Sequence, residues 1–328
     1  LNQTTAANKP VVIMLAATLA LMLAIPAGLV SMLPKREQPA PHLAVATDDM
    51  KIKVLLKEKN QVVEMPLEEY VKGVVAAEMP ADFPLEALKA QAIAARTNAI
   101  RRIQKNSLIE GAHVTDDYRD TQAYSSDEKL KQQWGIMEYQ LKMNKIVQAV
   151  NETKGQIVTY NGVPIDAMFF SASNGKTEDS QDYFGRALPY LRSVDCPWDA
   201  QSKHATRTKT MPLQEFHRLL GINAVVTAAN QGQMLQVVET SASHRVKKIR
   251  VAGKVMSGPD FRQALGLPST DFSWKIEGDA ITFTTHGNGH GVGMSQYGAE
   301  GMAKQGKTAS EILAYFYQGT TIASYKKP

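Results

Sequence analysis

The stretch LEEYVKGVVAAEMPADFPLEALKAQAIAART, residues 67–97, decides the fold. Pro66 and Pro84 stand where helices can begin and Pro80 where one must stop, because proline has no N–H to donate to a helix. Between the first two, Leu67, Val71, Val74 and Val75 recur at helical spacing, which gives that helix one apolar face. The second helix, from Pro84 to about Ile103, carries alanines at 87, 90, 92, 94, 95 and 99. They are spread around more than one face, so neighbouring elements can approach closely on several sides.

Upstream, Ile52–Leu56 and Gln61–Glu64 read as a hairpin around the charged turn 57–60. Downstream, a helix is expected over Leu130–Val150, with Tyr139, Met143, Ile146 and Val150 on one face and Gly155 near its end. The period then changes to that of strands, and Gln156–Tyr160, the Asn161-Gly162 turn and Val163–Phe170 predict a second hairpin. Further strands are expected at 233–239, 247–251 and 280–285, and a last helix has a capping box of Thr308 and Glu311 and a stop at Gly319. The fold class is α+β, mixed helices with antiparallel sheet.

The chain has 328 residues, 37 Lys+Arg against 32 Asp+Glu, and 44% hydrophobic residues. A net charge of +5 is too small for a nucleic-acid signature, and the apolar content excludes a disordered chain. The single Cys196 excludes an intramolecular disulfide and any four-cysteine zinc site. Residues 11–33 form an uncharged run of 23 residues, about 34 Å as a helix against a hydrocarbon core of roughly 30 Å. A signal peptide has a shorter apolar stretch, so an uncleaved transmembrane helix is expected. The division is a short tail at 1–10, the span at 11–33, a Pro-containing tether at 34–49, and one folded domain at 50–328. Positive charge flanks the span on both sides, at Lys9 with the amino terminus and at Lys35-Arg36, and taken alone slightly favours the Lys35-Arg36 side as the inside.

Glu78 continues the apolar stripe of Val74 and Val75 just before Pro80. A carboxyl there is partly desolvated, which raises its pKa as a general acid requires. A helix-end cap or a salt bridge would use the same residue type. Lys89, Gln91 and Arg96 interrupt the alanine helix and could line a groove or form a solvated stripe. The run HGNGHGVGMSQYGA, residues 286–299, lacks the Gly-Lys-Ser/Thr of a phosphate loop, and its glycines argue against a helical histidine pair on a metal. A loop that feeds a helix near Met294 and turns imidazoles and amides toward a ligand fits better. The loop FSASNGKTE, residues 170–178, offers hydroxyls either to itself or to a sugar.

Taken together and in order, residues 67–80, 87–97, 170–178, PYLRSVDCPW at 189–198, and 286–299 resemble the stage II sporulation protein D family over about residues 50–325. The resemblance implies a peptidoglycan lytic transglycosylase that cleaves between N-acetylmuramic acid and N-acetylglucosamine on strands stripped of stem peptides. It implies Glu78 as the catalytic residue and Lys89, Gln91, Arg96, Ser171, Ser173, His286, His290 and Tyr297 as substrate-binding residues, with no cofactor. Some relatives hold zinc with two cysteines where this chain has Thr115 and Thr121, so no structural zinc is expected and packing and hydrogen bonds must hold that segment. The implied setting is a single-pass cell-membrane protein with its domain outside the cytoplasm, between mother cell and forespore. Its implied partners are glycan strands, a membrane-anchored amidase and a multi-spanning scaffold. A glycan-binding amidase activator is the rival reading. A muramidase would need a second carboxylate near Glu78, such as Asp166, Glu178 or Asp182.

Overall fold

Strand β1 (Lys51–Leu56) turns Ile52 and Val54 inward, and pairs antiparallel with β2 (Gln61–Pro66) in a register that sets Val54 opposite Val63. The computed structural model of the protein describes residues 50–222 and 234–325. The expected tail, membrane span and tether lie outside them. Among the described residues no helix is long and apolar enough to cross a membrane.

Helix α1 (Leu67–Glu78) starts at Pro66 and buries Leu67, Tyr70, Val71, Val74 and Val75. Helix α2 (Leu85–Lys105) is the axis of the larger core, and all six of its alanines are fully buried. A methyl side chain keeps no neighbour at a distance, so α2 is packed on several sides at once. Strand β3 (Val114–Thr115) adds to β1 in parallel.

The helix expected over Leu130–Val150 is two helices, α3 (Asp127–Trp134) and α4 (Ile136–Glu152). Gly135 between them has φ of +74°, which no helix accommodates. The second hairpin is shorter than expected. Strand β4 (Gln156–Tyr160) meets β5 (Val163–Pro164), whereas β6 (Phe169–Phe170) leaves to pair elsewhere.

A short helix α5 (Ser180–Phe184) leads to a second core. It is built from β7 (Thr206–Pro212), α6 (Leu213–Leu220), β8 (Leu235–Thr240), β9 (Val246–Val251), β10 (Lys254–Ser257), α7 (Gly258–Leu265), β11 (Phe272–Glu277) and β12 (Ala280–His286). Its sheets run β10-β9-β8 and β11-β12-β7, all antiparallel, around Phe216, Phe261, Phe272 and Phe283. The chain then returns to the larger core through β13 (Met294–Ser295), α8 (Gln296–Lys304), α9 (Ala309–Phe316) and β14 (Thr321–Ser324). The Thr308–Glu311 capping box is present at the start of α9. The fold is thus α+β, with several small sheets in place of one antiparallel sheet, and two parallel pairs among them.

Candidate active site

Glu78 is the last residue of α1, and Met79 behind it is already extended. Burial of the stripe through Val74 and Val75 brings its carboxyl partly out of water. Oε1 accepts a hydrogen bond from the Ala123 N–H at 2.7 Å, and the Gln296 side chain also faces the carboxyl. Burial pushes the pKa of Glu78 up, against the smaller stabilising effects of Ala123 and Gln296. The negative end of the α1 dipole acts in the same direction as burial. No Lys or Arg forms an ion pair with Glu78 among the described residues, so a general acid is chemically available there.

The carboxyl opens onto a cleft of about 370 Å³. One wall is the end of α1 with Pro80 and Asp82; a second is Trp134 and Lys142 at the α3–α4 corner; the third combines Ser171, Lys203, His204, Gln296 and Tyr297. Tyr297 is wedged edge-on against Phe83 and His204, with ring centroids 5.1 and 5.5 Å away. Lys142 pairs with Glu138 at 2.6 Å and lies over the Trp134 ring. Lys203 is exposed and has no ion pair among the described residues. His204 Nδ1 meets the Arg207 guanidinium, which can only donate, so Nδ1 accepts and the ring proton resides on Nε2. Burial, with Arg207 and Lys203 nearby, holds the His204 pKa below the usual imidazole value.

The glycine-rich run acts as a clamp that delivers this third wall. Strand β13 pairs in parallel with β6, Asn288 bridges to Ala172, and the Tyr297 N–H donates to the Ser171 carbonyl at 3.1 Å. Gly293, at φ +81°, lies so close that a Cβ would sit 2.1 Å from the Met168 carbonyl oxygen. Asp199 pins the other side. It accepts from the Ser295 hydroxyl at 2.8 Å and from the Ser173 N–H at 2.5 Å, while Ser295 Oγ caps α8 by accepting from the Gly298 N–H. Burial raises the Asp199 pKa, and that of the adjacent Cys196 thiol.

Of the nine residues expected at the site, Glu78, Ser171 and Tyr297 line the cleft. The other six do not. Arg96 is fully buried at the opposite end of α1: Nη2 and Nε hold Glu68 at 2.7 and 3.0 Å, and the guanidinium also donates to the carbonyls of Val150 and Gln156. Lys89 is tied to Glu86 and Glu152 at 2.8 and 2.5 Å. Gln91 is fully buried, with no partner for its amide among the described residues. The Ser173 side chain accepts from the Gly175 N–H, closing its own loop. His286, exposed at the end of β12, meets Thr206. His290 accepts from the Val292 N–H and donates from Nε2 to the Phe169 carbonyl at 3.0 Å, among the rings of Phe170, Tyr183 and Phe184. Burial holds its pKa down at about 4, so it is neutral and serves packing. Gln296, Trp134, Lys142, Lys203 and His204 were missed. Gln296 adjoins Tyr297 in sequence, and Lys203-His204 follow the 189–198 motif closely, but no periodicity marks them.

The sequence model described as Stage II sporulation protein matches residues 56–160. Over 267 residues the chain is 49% identical to the stage II sporulation protein D of Bacillus subtilis (strain 168), covering 80% of this chain and 76% of that protein. It belongs to the stage II sporulation protein D family. The homologue of that name from Bacillus amyloliquefaciens is 43% identical over 290 residues, 88% of this chain and 83% of that protein. More distantly, the chain is 30% identical over 307 residues to the amidase enhancer of Bacillus subtilis (strain 168), 78% of this chain but 40% of that protein. In this family member the segment around Thr115 is closed by hydrogen bonds. Thr121 Oγ1 donates to the Thr115 carbonyl and accepts from the Thr115 N–H, and Thr115 Oγ1 is engaged by the Asp117 N–H. Such a donor set does not fit zinc. Among the described residues no three His, Cys, Asp or Glu side chains are grouped to hold a metal.

Proposed function

We propose that the chain is a membrane-anchored lytic transglycosylase of the stage II sporulation protein D family, acting on stem-peptide-free peptidoglycan during engulfment. The observation that carries this reading is the Glu78 carboxyl, desolvated at a helix end, without an ion-pair partner, and open to a cleft. With Oε1 held by the Ala123 N–H, the proton belongs on Oε2. That proton passes to the glycosidic oxygen between muramic acid and glucosamine as the bond from C1 breaks. The resulting carboxylate takes the proton of the muramic C6 hydroxyl, whose oxygen closes on C1 to give a 1,6-anhydro end. Glu78 is returned protonated and no water is consumed.

A single carboxyl therefore suffices, in contrast to hydrolytic glycosidases, which use two. The three carboxylates expected for a muramidase are engaged elsewhere, and the carboxylate that does line the cleft beside Glu78 is Asp82. Asp166 pairs with Arg101 and Arg186, Glu178 accepts from Ser241 and Ser243, and Asp182 pairs with Lys247. The same reading anchors the chain through residues 11–33, with the domain in the space between mother cell and forespore. A membrane-anchored amidase that strips stem peptides and a multi-spanning scaffold are its partners there.

The test is mass spectrometry of stripped glycan treated with the full chain in detergent, wild type beside Glu78→Gln. Anhydro-muramic ends made by wild type alone support the reading. Ends heavier by one water would make the chain a muramidase. The likeness to a protein named amidase enhancer favours the activator as second reading. Intact glycan with both proteins, together with faster stripping by a partner amidase, would establish it.

A further inference from the structure

Stripping a stem peptide hydrolyses the amide that joins the muramic lactyl group to the first amino acid. The amine departs with the peptide, and the lactyl carbon keeps a carboxylate. A stripped strand thus differs from an intact one in charge as well as bulk. Among the described residues the cleft at Glu78 contains one cation with no carboxylate of its own, Lys203, since Lys142 is held by Glu138. Beside Lys203 stands His204, whose Nδ1 is occupied by Arg207, so that Nε2–H is the donor it offers. The opposing charge in the cleft is Asp82, exposed on the α1–α2 connection.

We propose that Lys203, with the His204 N–H beside it, binds the free lactyl carboxylate of muramic acid and thereby makes the enzyme select strands an amidase has already processed. This rests on the transglycosylase reading of the same cleft. An amide at that position carries no charge for Lys203 and presents an N–H to the His204 donor. The cleft therefore recognises the product of amide hydrolysis by its charge.

The experiment separates charge from bulk. Stripped glycan is compared with the same glycan whose lactyl carboxylates have been converted to methylamides, using the full chain in detergent. Wild type is expected to show kcat/KM about fivefold higher on the acid form at low salt, as an exposed charge pair supports, and a smaller ratio at about 0.5 M salt. Lys203→Met takes the ratio to about one and Lys203→Arg retains it. A wild-type ratio of one, or a ratio that survives Lys203→Met, overturns the proposal. Binding of both glycans to Glu78→Gln, with and without Lys203→Met, reads the same ratio without turnover. If wild type cuts neither glycan, the transglycosylase reading fails and the binding ratio alone decides the role of Lys203.

Discussion

Arg96→Met separates a residue that holds the fold from one that holds substrate. Arg96 has no exposed surface, and its ion pair with Glu68 (14% exposed) joins α1 to α2. Methionine fills most of the space, yet it leaves the Glu68 carboxylate with little solvent and removes the guanidinium donors to the Val150 and Gln156 carbonyls. Breaking one side of such a pair costs about 3–5 kcal/mol. With a urea m-value near 3 kcal/mol/M, the unfolding midpoint should fall by roughly 1–1.7 M. Adding Glu68→Gln removes the stranded charge and should recover part of that loss, which a double-mutant cycle measures. Urea titration followed by far-UV circular dichroism reads both. If Arg96→Met unfolds at the wild-type midpoint yet loses glycan cleavage, the side chain acts on substrate and the assignment to the core is refuted.

Glu78→Gln should lower turnover by about 10²–10⁴-fold, the range of a general acid, as read by release of anhydro ends. It should also stabilise the protein at neutral pH. The folded pKa of Glu78 lies above its unfolded value of 4.5, so the native state holds the extra proton between the two and wild-type stability falls as pH rises through that window. Thermal midpoints of variant and wild type should therefore converge below about pH 4 and separate above it. His290 has the opposite sign. Its folded pKa of about 4 lies below 6.5, so wild type loses stability as pH drops between them, and His290→Gln should flatten that part of the curve in thermal scans. Gly293→Ala combines a left-handed φ, costing on the order of 1–3 kcal/mol, with a backbone clash, and should lower the urea midpoint by more than the strain alone. Cys196 is buried with a raised pKa, so a thiol reagent at pH 8 should modify it only at the rate of unfolding.

The elements that proline, glycine and apolar spacing control were legible in the sequence. Both helices of residues 67–105 and the α9 capping box arise where local signals agree with packing. The break at Gly135 was missed because an isolated glycine in a helical pattern is ordinarily tolerated, and only its positive φ ends the helix. Strand β6 was read into the local hairpin because its true partner, β13, lies more than a hundred residues away. In the site the same limit applies to side chains. His290 looks like a ligand in its glycine setting, yet the Phe169 carbonyl and the Val292 N–H occupy both ring nitrogens.

Glu78 and Arg96 make the point most sharply, since each is an ionisable residue within an apolar helical pattern, and they have opposite uses. What separates them is whether a countercharge reaches them. Glu68 sits at the start of α1, ten residues before Glu78 on the same helix, and packing α1 against α2 spends that carboxylate on Arg96. The pairing holds Arg96 in the core at the start of α1, about 15 Å along the helix axis from Glu78 at its other end. Among the described residues Glu78 meets only the Ala123 N–H and the Gln296 side chain, so burial sets its proton affinity. Were Arg96 directed into the cleft instead, its charge would stabilise the Glu78 carboxylate and lower the pKa that an acid requires. The pH–rate profile checks this. Glu78 in the Glu68→Gln variant, with Arg96 still held by the Val150 and Gln156 carbonyls at the far end of α1, should keep the wild-type alkaline limb, whereas a limb shifted toward acid would show that the freed guanidinium reaches the cleft.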